Sequence, residues 1–234
     1  MLATIKSYIN NFSHLLYPHN CEGCCSDVLS DDSFLCAKCL YELPETGFIN
    51  VADNPVEKSF YGRLKLEAAA AGYYFTKDGL LQHLISQLKY KSNKEMGIFL
   101  GALIGKQLQL SDRFKDVEVL VPLPLNFRKE AKRGYNQSTL ICDGIATIWQ
   151  KPVVTNAVVR SVFTQSQTKK DRITRWQNME GVFAIENAAQ LQGKHVLLID
   201  DITTTGATLE ACGSEILQIP NTKLSIVTVA CAIP

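Results

Sequence analysis

Apolar residues recur along this chain in two rhythms, one helical and one continuous, and their alternation predicts the fold class. Ile5, Ile9, Phe12 and Leu16 fall at helical spacing and predict a short amphipathic helix packed on the protein. Leu66 to Phe75 (LEAAAAGYYF) is small and apolar with aromatic ends, which predicts a strand leading into the main domain. From Asp78 or Gly79 a helix carries Leu80, Leu81, Leu84, Ile85 and Leu88 on one face and ends near Tyr90. Another runs from about Asn93 to Leu110. Val117 to Val121 reads as a short buried strand and Asn136 to Trp149 as an amphipathic helix. Val158 to Arg160, Val182 to Ile185 and Leu224 to Ala230 supply further strands. Val196 to Ile199 is apolar on both faces, as a buried parallel strand is, and helical patterning follows from Ala207 to Leu217. Strands alternating with helices imply an α/β domain on a parallel sheet with right-handed crossovers. Leu43-Pro44 and the stretch Asn50 to Pro55 read as a linker, which sets an N-terminal module over 1–50 apart from an α/β domain over 55–234.

At 234 residues, 46% hydrophobic and 20% charged, the chain has enough apolar material for one medium core and a small appendage. A net charge of +1 provides no global field towards nucleic acid or membrane, so any anion binding must come from local clusters. The N-terminus lacks a continuous apolar run, being broken by Asn10, Asn11, Ser13 and His14, so it does not read as a signal peptide. No stretch approaches the length of a membrane span, and neither membrane insertion nor export is expected. A cytoplasmic location follows as the expectation.

Of eight cysteines, Cys21, Cys24, Cys25, Cys36 and Cys39 lie close together, while Cys142, Cys212 and Cys231 sit in apolar segments as small core residues. Cys21-Glu-Gly-Cys24 and Cys36-Ala-Lys-Cys39 are two C-x₂-C pairs, each able to give two thiolates to one tetrahedral ion. Gly23 eases the tight turn of such a knuckle. In a reducing compartment metal outranks disulfide, and four thiolates with no open position point to structural zinc. Cys25 leaves the ligand set open, because it can take the place of Cys24. His14 and His19 are near in sequence but superfluous to a closed shell.

The run Val196 to Thr208 (VLLIDDITTTGAT) carries the strongest chemical signal. A buried strand ends in Asp200 and Asp201, followed by Thr203-Thr204-Thr205-Gly206 and a helix starting at Ala207. Backbone N–H groups at such a turn cradle phosphate, and the helix dipole favours its charge. The carboxylates can accept from vicinal ribose hydroxyls or hold Mg²⁺. An ordinary strand-to-helix turn with a Thr cap is the plain alternative.

Two further loops have ligand-loop character. After the strand at Val117 to Val121 comes Pro122-Leu123-Pro124, then Arg128 to Arg133 with four basic residues against one acidic, then Gly134. It lies beyond a strand's carboxyl end, where ligands sit in open α/β sheets. Arg133 would be a bidentate pyrophosphate donor, unless the segment is a solvated basic helix. The segment Phe163 to Met179 carries Lys169, Lys170, Arg172 and Arg175 and reads as a cationic lid or as a solvated charge run.

The run at Asp200 resembles the signature of type I phosphoribosyltransferases that binds 5-phosphoribosyl pyrophosphate (PRPP). The Cys₄ knuckle, Leu88-Lys89-Tyr90, VPLPL with RGYNQ (Arg133 to Gln137), TQ-x-Q from Thr164 and DDITTTGAT occur in the order of the ComF family, which the whole chain resembles. That resemblance implies a phosphoribosyltransferase-like domain with a zinc-binding hood and a link to natural competence, where imported single-stranded DNA is handled. It implies PRPP contacts from Asp200, Asp201, Thr203, Thr204, Thr205, Gly206, Ala207, Thr208, Arg133 and Leu123. It further implies catalytic roles for Asp200, Asp201, Lys169 and Arg172, with Mg²⁺ accompanying PRPP. Three functions compete on this basis. One is a Mg²⁺-dependent phosphoribosyltransferase of unnamed acceptor, another a PRPP-sensing protein without turnover. The third is a DNA-uptake factor without chemistry, which contacts single strands through the zinc knuckle and through basic loops interleaved with Phe127, Tyr135, Phe163 and Trp176, beside DNA-uptake proteins.

Overall fold

The computed structural model of the chain describes residues 20–27, 33–160 and 182–232. The predicted N-terminal helix, His14, His19 and the lid with Lys169, Lys170, Arg172 and Arg175 lie outside the described residues. The chain divides into two compact units, Met1–Leu43 and Pro44–Pro234. In the first, the second cysteine pair falls on a short helix α1 (Ala37–Tyr41), entered from Cys36 in extended conformation and carrying Cys39.

The second unit is built on a four-stranded sheet of order β1-β6-β5-β2, where β1 is Ala68–Tyr74, β2 Val119–Pro122, β5 His195–Thr203 and β6 Lys223–Cys231. Every pairing in it is parallel. Nearly all of its residues are buried, which accounts for their near-continuous apolar character. The helices flanking the sheet are α2 (Pro55–Lys58), α3 (Leu80–Tyr90), α4 (Lys94–Gln109), α5 (Phe127–Arg133), α6 (Gln137–Trp149) and α7 (Ala207–Leu217).

Two features depart from the sequence expectation. The strands β3 (Val158–Arg160) and β4 (Phe183–Ile185) do not join the parallel sheet but pair antiparallel with each other. Three-residue strands with one buried position each have too little apolar surface for a central sheet place. The central strand β5 also runs on through both aspartates to Thr203, still paired with β6 at Thr203↔Cys231.

Residues 44–57, part of which read as linker, satisfy the outer edge of β1. Asn54 Nδ2 donates to Ala69 O at 2.7 Å, Ala69 N donates to Glu57 Oε1 at 3.1 Å, and Thr46 N donates to Gly72 O at 3.0 Å. Asn54 also caps α2 through Val56 N and Glu57 N, with Pro55 at its first position.

Helices α4 and α6 approach at backbone contact. A Cβ on Gly101 would stand 2.2 Å from Ile141 O, and one on Gly144 would stand 2.1 Å from Ile98 O. This approach fixes α6 against β2 and β5, so that the N-terminus of α6 meets the carboxyl end of β5.

Candidate functional site

The site forms where β2 stops and β5 continues. The last β2 pair is Pro122↔Ile199, and Leu123 N closes the final rung on Ile199 O at 2.8 Å. Beyond it, residues Asp200 to Thr203 keep only β6 as sheet neighbour, which leaves their other side to ligands or side chains. Side chains at Asp200 and Asp201 point to opposite faces, as successive strand residues do.

Each carboxylate has its own partner. Ser138 Oγ, in the first turn of α6, donates to Asp200 Oδ1 at 2.9 Å. Lys89 Nζ, at the end of α3, lies 2.8 Å from Asp201 Oδ2. Burial raises the Asp200 carboxyl to about 7, and the Asp201 charge adds to the rise while the Ser138 hydroxyl and Lys89 oppose it.

The RGYNQ segment aligns these partners. Gly134 closes α5 in the left-handed conformation (φ +82). The Tyr135 hydroxyl donates to Leu88 O, which ties the segment to α3 beside Lys89. Asn136 caps α6 by accepting from Ser138 N at 3.0 Å and donates to Leu123 O at 2.9 Å. Arg133 ends α5 with its Nη1 buried and without a hydrogen-bond partner, a donor available to an anion. The structure therefore connects LKY, RGYNQ and the aspartates through named bonds.

The turn after β5 has its own support. Thr203 is a buried strand residue, not part of the turn, and its Oγ1 has no partner. Thr204 and Thr205 are exposed, and Gly206 stands at φ +74 as the residue before α7, where Ala207 N donates a long 3.5 Å bond to Thr205 Oγ1. Ala207 and Thr208 form its first turn, so their N–H groups belong to the end of the helix that attracts anions. A Cβ on Gly206 would lie 2.8 Å from the Phe60 ring. Arg63 Nη1 donates to Thr205 O at 3.2 Å, and its Nη2 pairs with Glu210 in the first turn of α7. Phe60, Arg63, Lys89 and Ser138 carry no motif of their own as ligand residues. Lys89 was visible only as the centre of LKY, and Ser138 only as the residue after RGYNQ.

In the N-terminal unit, ligand atoms of Cys21, Cys24, Cys36 and Cys39 lie within 4.8 Å of one another, an arrangement that could hold a metal ion. Cys24 Sγ and Cys36 Sγ are 3.7 Å apart, close to the edge of about 3.8 Å expected of a tetrahedron with metal–sulfur bonds of about 2.3 Å. The set is the regular one, with Cys24 and not Cys25, which is exposed and stands at φ +59. Gly23 N and Cys36 N donate to Cys21 Sγ at 3.4 and 3.3 Å. Burial raises the Cys21 thiol, but these donors and that of Cys24 outweigh it and bring it to about 6. Burial and the neighbouring sulfurs push Cys39 up to about 12.

The chain is 31% identical over 148 residues to the DNA utilization protein YhgH of Escherichia coli, covering 59% of this chain and 60% of that protein. It is 26% identical over 149 residues to the competence protein ComFC of Bacillus subtilis, covering 62% and 56%. These proteins are its homologues. They bear out the resemblance to the ComF family, and the chain spans about 60% of the length of the curated relatives it matches. No protein-family model matches. Among solved structures, glutamine PRPP amidotransferase from B. subtilis, complexed with ADP and GMP, aligns over 61% of this chain and 30% of that one, with a TM-score of 0.43 and 14% identity. Among the described residues no helix is long and apolar enough to cross a membrane.

Proposed function

We propose that the protein binds PRPP with Mg²⁺ at the carboxyl end of β5 and acts in the handling of imported DNA or its nucleotides. The observation that carries the reading is the succession of β5, Asp200-Asp201, Thr/Gly turn and α7, with Gly206 in the left-handed conformation where a phosphate needs close approach. The 5′-phosphate fits the N–H groups of the turn and of Ala207 and Thr208, helped by Thr204 and Thr205. Asp200 and Asp201 fit the ribose hydroxyls, and the unpartnered Arg133 Nη1 fits pyrophosphate. Hard oxygen donors at Asp200 and Asp201 suit Mg²⁺, which when bound neutralises charge on departing pyrophosphate. The chain's part in a transfer to an acceptor is then to orient C1 and to hold charge, with Lys169 and Arg172 supplying cations from the lid. The names of its homologues, DNA utilization and competence, support the cellular half of the reading. Zinc is the ion proposed for the four cysteines, in a structural role, and the cytoplasm is the proposed location.

Titration calorimetry with PRPP and Mg²⁺ tests this. Asp201→Asn and Thr205→Val should each weaken binding by roughly 10- to 100-fold, the value of one charge-assisted hydrogen bond. Native affinity in both variants would reduce the loop to a structural turn. Pyrophosphate release with candidate acceptors separates transferase from sensor. A second reading, contact with single-stranded DNA, is favoured by α5, a basic helix with no buried residue and with Phe127 67% exposed. Reversing Arg128 and Lys132 to Glu should then flatten the salt dependence of single-strand binding.

A further inference from the structure

The two aspartates of the site are held by unlike partners. Asp200 accepts from a neutral hydroxyl, Ser138, at 2.9 Å, whereas Asp201 faces the ammonium of Lys89 at 2.8 Å. The Lys89 and Asp201 side chains are 22% and 11% exposed, so bulk ions screen this pair weakly. Lys89 also starts from a fixed base. The preceding Leu88 is buried, and its carbonyl accepts the Tyr135 hydroxyl.

We infer that Lys89 is a positioning residue, a tethered counter-cation that keeps free divalent metal off Asp201 and reserves that carboxylate for metal arriving with its sugar-phosphate ligand. The inference rests on the PRPP reading above. A lone Mg²⁺ needs about six oxygens at 2.0–2.1 Å and gives up its water reluctantly. Coming alone to Asp201, it meets an ammonium already on that carboxylate, which offsets its charge. A phosphorylated sugar changes that balance, because it brings its own oxygens and several negative charges. Lys89 can then stay in place while metal and ligand settle together.

Mn²⁺, followed by loss of its free electron paramagnetic resonance signal, is the probe, used on the whole 234-residue chain with its cysteine site loaded with zinc. The native chain should bind Mn²⁺ weakly alone and at least tenfold more tightly with PRPP. Lys89→Met should bind Mn²⁺ alone at least tenfold more tightly than native, and Lys89→Arg should behave as native. A lysine with only a packing role would not raise metal affinity on removal. Unchanged or weaker Mn²⁺ binding by folded Lys89→Met overturns the inference, and Lys89→Gln serves if the Met variant does not fold. Equal Mn²⁺ affinity of the native chain with and without bound PRPP overturns it independently of any variant. Failure of the native chain to bind PRPP at all sinks the functional reading instead, and the variants' response to Mn²⁺ alone still decides the role of Lys89.

Discussion

At Asp200 the proposed ligand site works against the stability of the fold. Its carboxyl titrates near 7 in the folded chain against an ordinary 3.8, so between those values the folded state holds a proton that the unfolded state has released. Stability therefore falls as pH rises through that window and stays lowered above it. Asp200→Asn keeps an acceptor for Ser138 and removes the titration. In chelator, thermal unfolding should show the variant about 1–2 kcal/mol more stable than native at pH 8, after allowance for solvent at this half-buried group. The difference should vanish near pH 4, while PRPP affinity is lost throughout. A variant less stable than native at pH 8 would contradict the assignment. Gly206→Ala acts in the opposite sense. Its Cβ would meet the Phe60 ring at 2.8 Å in a left-handed backbone, which should cost about 1–3 kcal/mol in unfolding free energy and weaken phosphate binding. Both residues were legible in sequence because their roles are local. Lys89 and Ser138 were not, since each acts on an aspartate that only the fold brings near; Ser138 is 62 positions from Asp200.

At the scale of elements, hydrophobic rhythm located β1, α3, α4, β2, α6 and α7 to within a few residues. It failed where partners decide the outcome. Two carboxylates inside a strand defeat a pattern reading, yet β5 extends through them because β2 has already ended and the β6 pairing persists to Cys231. The pairing of β3 with β4 was equally invisible, since a three-residue run carries no information about its neighbour. The glycines of α4 went unread for the same reason. Gly101→Ala improves helix propensity by about 1 kcal/mol, but the new Cβ stands 2.2 Å from a backbone oxygen of α6 that has no rotamer to yield. Net destabilisation of about 2 kcal/mol is expected, a fall in Tm of roughly 4–8 °C. Because α6 carries Asn136 and Ser138 at its start, PRPP affinity should fall as well. A variant with native Tm would show that the two helices have room to separate.

For the whole molecule, the two units rest on different physics. The unit over 1–43 has few buried side chains among its described residues, and its four clustered thiols are the natural source of its order. Chelation, or Cys36→Ser, should release one zinc per chain and unfold this unit, because metal-binding energy is folding energy in such modules. Far-ultraviolet circular dichroism should retain the α/β signal of 44–234, and purified protein free of metal with four ordinary thiols would refute the zinc assignment. The larger unit depends on its sheet, and a parallel sheet must end somewhere. A bare terminal strand is a template on which a strand from another chain can grow. Here the row of main-chain groups along β1 is already occupied by Asn54, Glu57 and Thr46 of the same chain. The preceding segment thus works as a stopper against the addition of a foreign strand at the β1 edge.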